Sequence, residues 1–406
     1  MILLMASGVN NKLNVFIDTI TILFLMLWSG GGFTYGLWPL WMFVFCPFIY
    51  IVYRGRGCCL NNKIFCTSII LTIIVLFQTF SFSGDFNTTL KYLLALYCVI
   101  MMSCYLFKSG QFADLYIKII YVLSVISLLF WCIDAIPIGH NLLLEIGEKL
   151  PQLGWENMRE TREGSTANRS YTLYVYTVYF IDDLLIPQNT GPFWEHGIFC
   201  IYLIIAFYLN AIRENKIITK YNIVFIIAII TSFSSTGYVV LIVALAFLIL
   251  QREGISFSKI FLLAMLLIGT YYISSLDFMT EKITEDAMST NESSRFFAMA
   301  YHWQQIVKSP FIGYGPYLER AFSNLVMSPN GWTQLLRVWG IPFSAYLLIA
   351  FFKGTGNFFR EEDNSFLKRI GFFVIVMIAV FPQSLSVSYF YFFLYFYSLQ
   401  NKQTKI

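Results

Sequence analysis

The chain has 406 residues, 58% of them hydrophobic and only 12% charged, with a formal net charge of +4. Mean hydropathy is +0.66. A water-soluble domain of this length needs far more polar surface, so these values exclude a soluble globular enzyme and point to a polytopic membrane protein. Aromatic residues reach 19%, as suits a lipid-facing surface with interfacial belts.

A bilayer core takes roughly 20 apolar residues per helix. On that measure the sequence predicts twelve spans, at 12–29, 35–53, 64–83, 88–107, 114–136, 193–212, 217–233, 235–251, 258–276, 332–353, 366–383 and 385–400. No cleavage-like Ala-x-Ala follows the early spans, so the first is expected to be retained. Only the tight turn Ser232-Phe233-Ser234-Ser235-Thr236-Gly237 separates the seventh span from the eighth. The expected fold is an all-α integral membrane domain over 1–406, interrupted by two polar loops at 137–192 and 277–331. No internal repeat and no inverted pair of broken helices is visible.

Basic residues set the orientation. With the N-terminus inside, 17 of the 27 basic residues fall in inner segments, among them Arg54, Arg56, Lys63, Lys353, Arg360, Lys368 and Arg369. Both termini are then cytoplasmic and both long loops extracytoplasmic. The eight cysteines lie outside the long loops. They read as buried small hydrophobes, with Cys58 and Cys59 as free thiols, and complete no metal site or disulfide framework.

All three histidines, His140, His196 and His302, lie in the two loops or at their edge. The first loop holds a tyrosine run, Tyr171, Tyr174, Tyr176 and Tyr179, then Gly191-Pro192-Phe193-Trp194-Glu195-His196 at the mouth of the sixth span. The tyrosines suit either headgroup level or a stacking wall for sugar rings. Glu195 gains from the positive end of a helix dipole, which explains an acid there. It does not explain the accompanying histidine and tryptophan. A partly desolvated carboxylate or imidazole at that mouth is a candidate general base, so Glu195 and His196 are the catalytic candidates.

In the second loop Asn291 reads as a helix start. Phe296, Ala300, Trp303 and Val307 follow at 3–4 spacing, which predicts an amphipathic helix lying on the membrane. Pro310-Phe311-Ile312-Gly313-Tyr314-Gly315 ends it; the glycine pair lacks the context of a nucleotide loop. Arg169, Arg295, Arg320 and Arg337 are candidates to converge on a pyrophosphate, since arginine is always charged and binds phosphate bidentately. For Arg169, Arg295 and Arg320 a pair with acids such as Glu292 or Glu319 is the plain alternative. Arg337 lies inside a span, where an unpaired charge costs roughly 2.5 kcal/mol or more at the bilayer centre, so it is expected to face a polar cavity. Asn330, Tyr301 and His302 complete the binding candidates, with His302 satisfied at the interface as its alternative. Asp18, in the first span, is a weaker case of the Arg337 argument; it lies toward the inner end, and a pair with a nearby base is its plain alternative.

At these residues the chain resembles the bacterial O-antigen polymerase and ligase superfamily, over about Arg169–Ile341. The matching elements are Arg169 with Gly191-Pro192-Phe193-Trp194-Glu195; the turn Ser232–Gly237; Ser294-Arg295 with Pro310-x-x-Gly313-x-Gly315; and Asn330 before a span containing Gly340-Ile341. Arg320 also stands ahead of Gly331 as in an Arg-x10-Gly pattern of such polymerases. Two departures stand out. The stretch after Arg169 carries an insertion with the tyrosine run, and the histidine expected beside Asn330 is Pro329.

The resemblance implies an inverting, metal-independent and cofactor-free glycosyl transfer in a C-type glycosyltransferase membrane fold of the bacterial inner membrane. It implies undecaprenyl-pyrophosphate-linked donor and acceptor, surrounding membrane lipid, a chain-length regulator membrane protein as partner, and no nucleic acid. Polymerase is favoured over O-antigen ligase acting on lipid A core, because Pro329 replaces the ligase histidine. A lipid-linked oligosaccharide flippase is the alternative outside enzymes.

Overall fold

The computed structural model describes residues 2–31, 48–58, 60–82, 84–152, 170–179, 187–251, 295–315, 330–360, 365–380 and 388–400. In chain order the helices named below are α1 (Ile2–Gly30), α2 (Asn62–Ser81), α3 (Phe86–Ser109), α4 (Phe112–Asp134), α5 (Pro137–Lys149), α6 (His196–Arg213), α7 (Lys220–Thr231), α8 (Ser235–Leu250), α9 (Arg295–Lys308), α10 (Gly331–Gly354), α11 (Phe366–Val380) and α12 (Tyr389–Ser398). A 3-10 turn, Thr355–Phe358, continues α10. One antiparallel hairpin, β1 (Ser170–Thr172) and β2 (Thr177–Tyr179), pairs Tyr171 with Val178.

Among the described residues six segments are long and apolar enough to cross a membrane: Lys12–Gly30, Asn62–Ser81, Phe86–Ser109, Phe112–Asp134, His196–Arg213 and Gly331–Phe358. These coincide with six predicted spans. Their outward faces carry exposed apolar side chains such as Ile73, Phe77, Phe80 and Leu129, as lipid contact requires. The chain is a multi-pass membrane protein. Helices α7 and α8, with 12 and 16 residues, are shorter than a full crossing. The predicted span 258–276 and most of 35–53 lie outside the described residues.

The polar segment 137–192 between two spans carries structure of its own. Pro137 at the first position of α5 presets its φ. The helix then buries Leu143 with Leu173, Tyr176 and Val178 of the hairpin. Gly147 is needed for this contact, because a Cβ there would meet Tyr171 Cβ at 2.5 Å. The described residues are thus mostly helical, as expected of an all-α membrane protein, with one small hairpin beside α5.

The chain forms two compact units, 1–58 with 105–211 and 218–234, and 59–104 with 212–217 and 235–406. In the first, α4 packs against α1, α5 and α7. The expected pair for Asp18 is present: Arg56 Nη2 is 3.0 Å from its carboxylate and the guanidinium lies 4.1 Å over the Tyr105 ring. In the second, α9, α11 and α12 surround α10, and α8 packs on α11. The core there is aromatic, with Phe351 against Phe358, Phe372 and Tyr395. Cys98, Cys104 and Cys200 are buried as expected, whereas Cys66 and Cys132 are exposed.

Candidate functional site

In the second unit the site is built on a break in α10. Gly340 adopts φ 73° and ψ 165°, and Pro342 follows two residues later. Proline has no N–H, so it frees the carbonyl of Val338; the glycine turn frees others. In a membrane span each freed carbonyl needs a partner, and the loop after α9 supplies them. Tyr314 N donates to Arg337 O at 2.8 Å and Gly315 N to Val338 O at 3.0 Å. Ile341 N reaches Pro310 O at 2.7 Å in return. Gln78, buried in α2, donates to both Ile312 O (2.6 Å) and Val338 O (2.8 Å). Gly313 and Gly340 allow the approach: a Cβ on either would stand 2.5 Å from a carbonyl oxygen of the other segment. The glycine motif of the second loop and the Gly340-Ile341 pair thus form one interlock.

The interlock fixes the first turns of α10, where the polar side chains gather. Asn330 caps the helix, its Oδ1 accepting from Thr333 N at 3.2 Å. Thr333 Oγ1 lies 2.9 Å from His302 Nδ1. One turn on, Arg337 Nη1 donates to Gln305 Oε1 at 3.5 Å. His302, Asn330 and Arg337 are 1%, 1% and 6% exposed, and Tyr301 is half-buried. Burial, with the Arg337 charge second, pushes the His302 imidazole down to about 3. It is therefore neutral, and its Nε2 is buried with no hydrogen-bond partner among the described residues. So weak a base suits hydrogen bonding better than proton abstraction at neutral pH. Beside these turns lies an apolar cavity of about 200 Å³, lined by Trp332, Leu335, Leu336, Leu348, Met377 and Tyr395. Helix α9 leaves Trp303 and Val307 exposed, in agreement with the predicted membrane-facing stripe.

In the first unit Glu195 and His196 sit on an elbow between the hairpin and α6. The Glu195 carbonyl accepts from Ile198 N and Phe199 N at 3.1 and 3.3 Å, so Glu195 is the residue from which α6 starts. The backbone before it is clamped from two sides. Thr177 Oγ1 donates to Phe193 O at 3.0 Å, and the Tyr179 hydroxyl donates to Trp194 O. Trp194 N donates to Gly30 O at 3.2 Å, while Phe193 bridges Gly31. Gly191, at φ +56°, turns the chain where a Cβ would strike the Phe199 ring at 2.9 Å. The side chains of Trp194, Glu195 and His196 are half-buried at this turn.

The structure brings together His302, Asn330 and Arg337, and it sets Glu195 beside His196. Arg169 and Arg320 lie outside the described residues; Arg295 opens α9, with only its backbone described. The tyrosine run is corrected: Tyr176 is fully buried and is no part of a stacking face. Its hydroxyl donates to Asp134 Oδ2 at 2.8 Å, and Asp134 Oδ1 is 2.7 Å from His140 Nδ1. Burial, then the Asp134 charge, holds the Tyr176 hydroxyl well above its usual range. Sequence reading missed Gln78, Gln305, Thr333 and the Asp134–His140–Tyr176 cluster. For Gln78 the signal was an amide in an apolar run. No protein-family model, no curated protein and no solved structure matches the chain.

Proposed function

We propose that this protein polymerises undecaprenyl-pyrophosphate-linked O-antigen repeat units on the extracytoplasmic face of a bacterial inner membrane. The observation that carries the reading is Arg337, a permanent cation buried within a membrane span beside His302 and Asn330. Such a charge is costly unless function needs it, and a pyrophosphate is a fitting counter-charge. The acceptor sugar hydroxyl attacks the anomeric carbon of the donor chain, and the bond from that carbon to the pyrophosphate oxygen breaks. Glu195 or His196 takes the hydroxyl proton. Arg337, with Arg169, Arg295 and Arg320, stabilises the charge on the leaving pyrophosphate. The apolar cavity beside Trp332 receives the start of a prenyl tail.

The break at Gly340 favours a second reading, a lipid-linked oligosaccharide flippase, because transporters also build sites on broken helices. Deletion of the gene, complemented by the wild type or by Arg337→Ala, separates the readings. A polymerase predicts single-repeat surface glycan in the deletion and in the variant. A flippase predicts loss of all extracytoplasmic repeat units, and an O-antigen ligase predicts uncapped lipid A core. A normal long-chain ladder from a well-folded Arg337→Ala protein would remove the assignment.

A further inference from the structure

A second cavity, of about 600 Å³, lies at the far end of α10 from Arg337. Lys63 in the first turn of α2 borders it, with Tyr346, Ile349 and Lys353 of α10, Asn357 of the 3-10 turn and Ser398 of α12. The glycosyl transfer proposed above makes no use of it.

The carbonyl groups at this end are already hydrogen-bonded. Asn357 Nδ2 donates to the carbonyls of Tyr397, Ser398 and Gln400 at 3.3, 2.9 and 2.8 Å. Asn61 Nδ2 covers Leu399 O at 3.1 Å, and Arg369 Nη2 covers Lys353 O at 2.6 Å. These helix-end carbonyls are thus bonded internally and form no open collar for a cation. What remains charged on its wall is two ammonium groups. Among the described residues neither Lys63 nor Lys353 has a carboxylate partner. The start of α2 adds the positive end of a helix dipole.

The flank of the cavity decides the kind of anion. Tyr346 and Ile349 are 41% and 54% exposed and run from the cavity along the lipid-facing side of α10. Tyr346 is held there by a 2.7 Å hydrogen bond to Thr67. A free phosphate has no use for this apolar flank, whereas an acyl chain does. We propose that the cavity binds the phosphate headgroup of an anionic membrane lipid, held by Lys63 and Lys353, with its chain along Tyr346 and Ile349. Basic pockets between spans take such headgroups elsewhere.

The test uses the full chain in neutral detergent, mixed with phosphatidylcholine and a minor share of phosphatidylglycerol, and reads retained lipid by native mass spectrometry. Wild type is expected to retain phosphatidylglycerol selectively. K63Q/K353Q is expected to lose that selectivity by about fivefold per lysine; K91Q, on an exposed lysine elsewhere, is expected to keep it. K63R/K353R preserves both charges and is expected to retain the lipid; its loss in that protein would overturn the proposal. Equal retention by wild type and K63Q/K353Q would also overturn it. Thermal protection by millimolar inorganic phosphate, with no lipid retained, would reassign the cavity to a free anion. Unchanged retention in E361Q/E362Q/D363N supports the proposal, whereas a clear gain would mean that this acidic run is the lysines' own partner and would defeat it.

Discussion

The elbow at Glu195 and the break at Gly340 solve opposite problems. At the elbow the backbone is held by Gly30, Thr177 and Tyr179, and the Glu195 and His196 side chains stand half-buried on top of it. At the break the side chains themselves are interior, and the first turns of α10 depend on them and on the docked loop. The difference fits the two duties proposed above. A proton acceptor needs a fixed position and access to substrate. A cation meant for a pyrophosphate needs exclusion from water, so that its charge acts in a low dielectric. Substitutions at the elbow should therefore hit turnover alone, while those at the break should hit folding as well.

The largest expected effect is Gly340→Ala. It forces a side chain into φ +73° and against Phe311 O at 2.5 Å, and should cost about 3 kcal/mol. Gly191→Ala, at φ +56° and against a flexible ring edge, should cost about 1 kcal/mol. Melting in detergent, followed by fluorescence-detected size exclusion, orders the two. A wild-type melting curve for Gly340→Ala would mean that the loop–helix interlock does not hold α10. Next comes Glu195→Gln, which should melt like wild type yet lower polymer formation on the order of 100-fold. If it instead melted far below wild type, the division of duties would be wrong.

The long spans were legible because 20 apolar residues in a row have few other homes. Asp18 was legible as half of a pair for the same reason: a carboxylate in a span needs a partner, and Arg56 provides it. The interlock was not legible. Its two glycine motifs are 25 residues apart and joined by backbone carbonyls, which carry no sequence signature. The hairpin was missed because its strands are three residues each and their tyrosines alternate poorly. His302 was readable as an interfacial histidine but not as a buried one, because its partner Thr333 comes from another helix.

The comparison sharpens further with pH. An unfolded imidazole titrates near 6.5, whereas burial, then the Arg337 charge, pushes His302 in the folded protein down to about 3. Above about pH 6.5 both states are neutral there, and the residue adds no pH dependence. Below it the unfolded chain binds a proton that folded His302 refuses, so stability falls as pH drops from about 6.5 toward 3. His302→Gln should remove that part of the slope. Melting of the two proteins at about pH 7.5 and pH 5 reads the difference; parallel losses would place His302 in water.

The most local expected effect lies behind the elbow. Tyr176→Phe removes the hydroxyl that donates to Asp134 Oδ2 and leaves the ring in the cluster with Leu143 and Val178. Loss of one such hydrogen bond to a buried carboxylate costs about 1–2 kcal/mol. The hairpin keeps a second tether, because Thr172 N still donates to Gln152 Oε1 at 3.0 Å. It should therefore loosen without detaching. Faster amide exchange is expected over 170–179, and a smaller increase at Trp194, whose carbonyl is held by Tyr179. If exchange rose in the hairpin but not at Trp194, the elbow would owe its rigidity to Gly30 alone. The clamp from two sides would then reduce to a clamp from one.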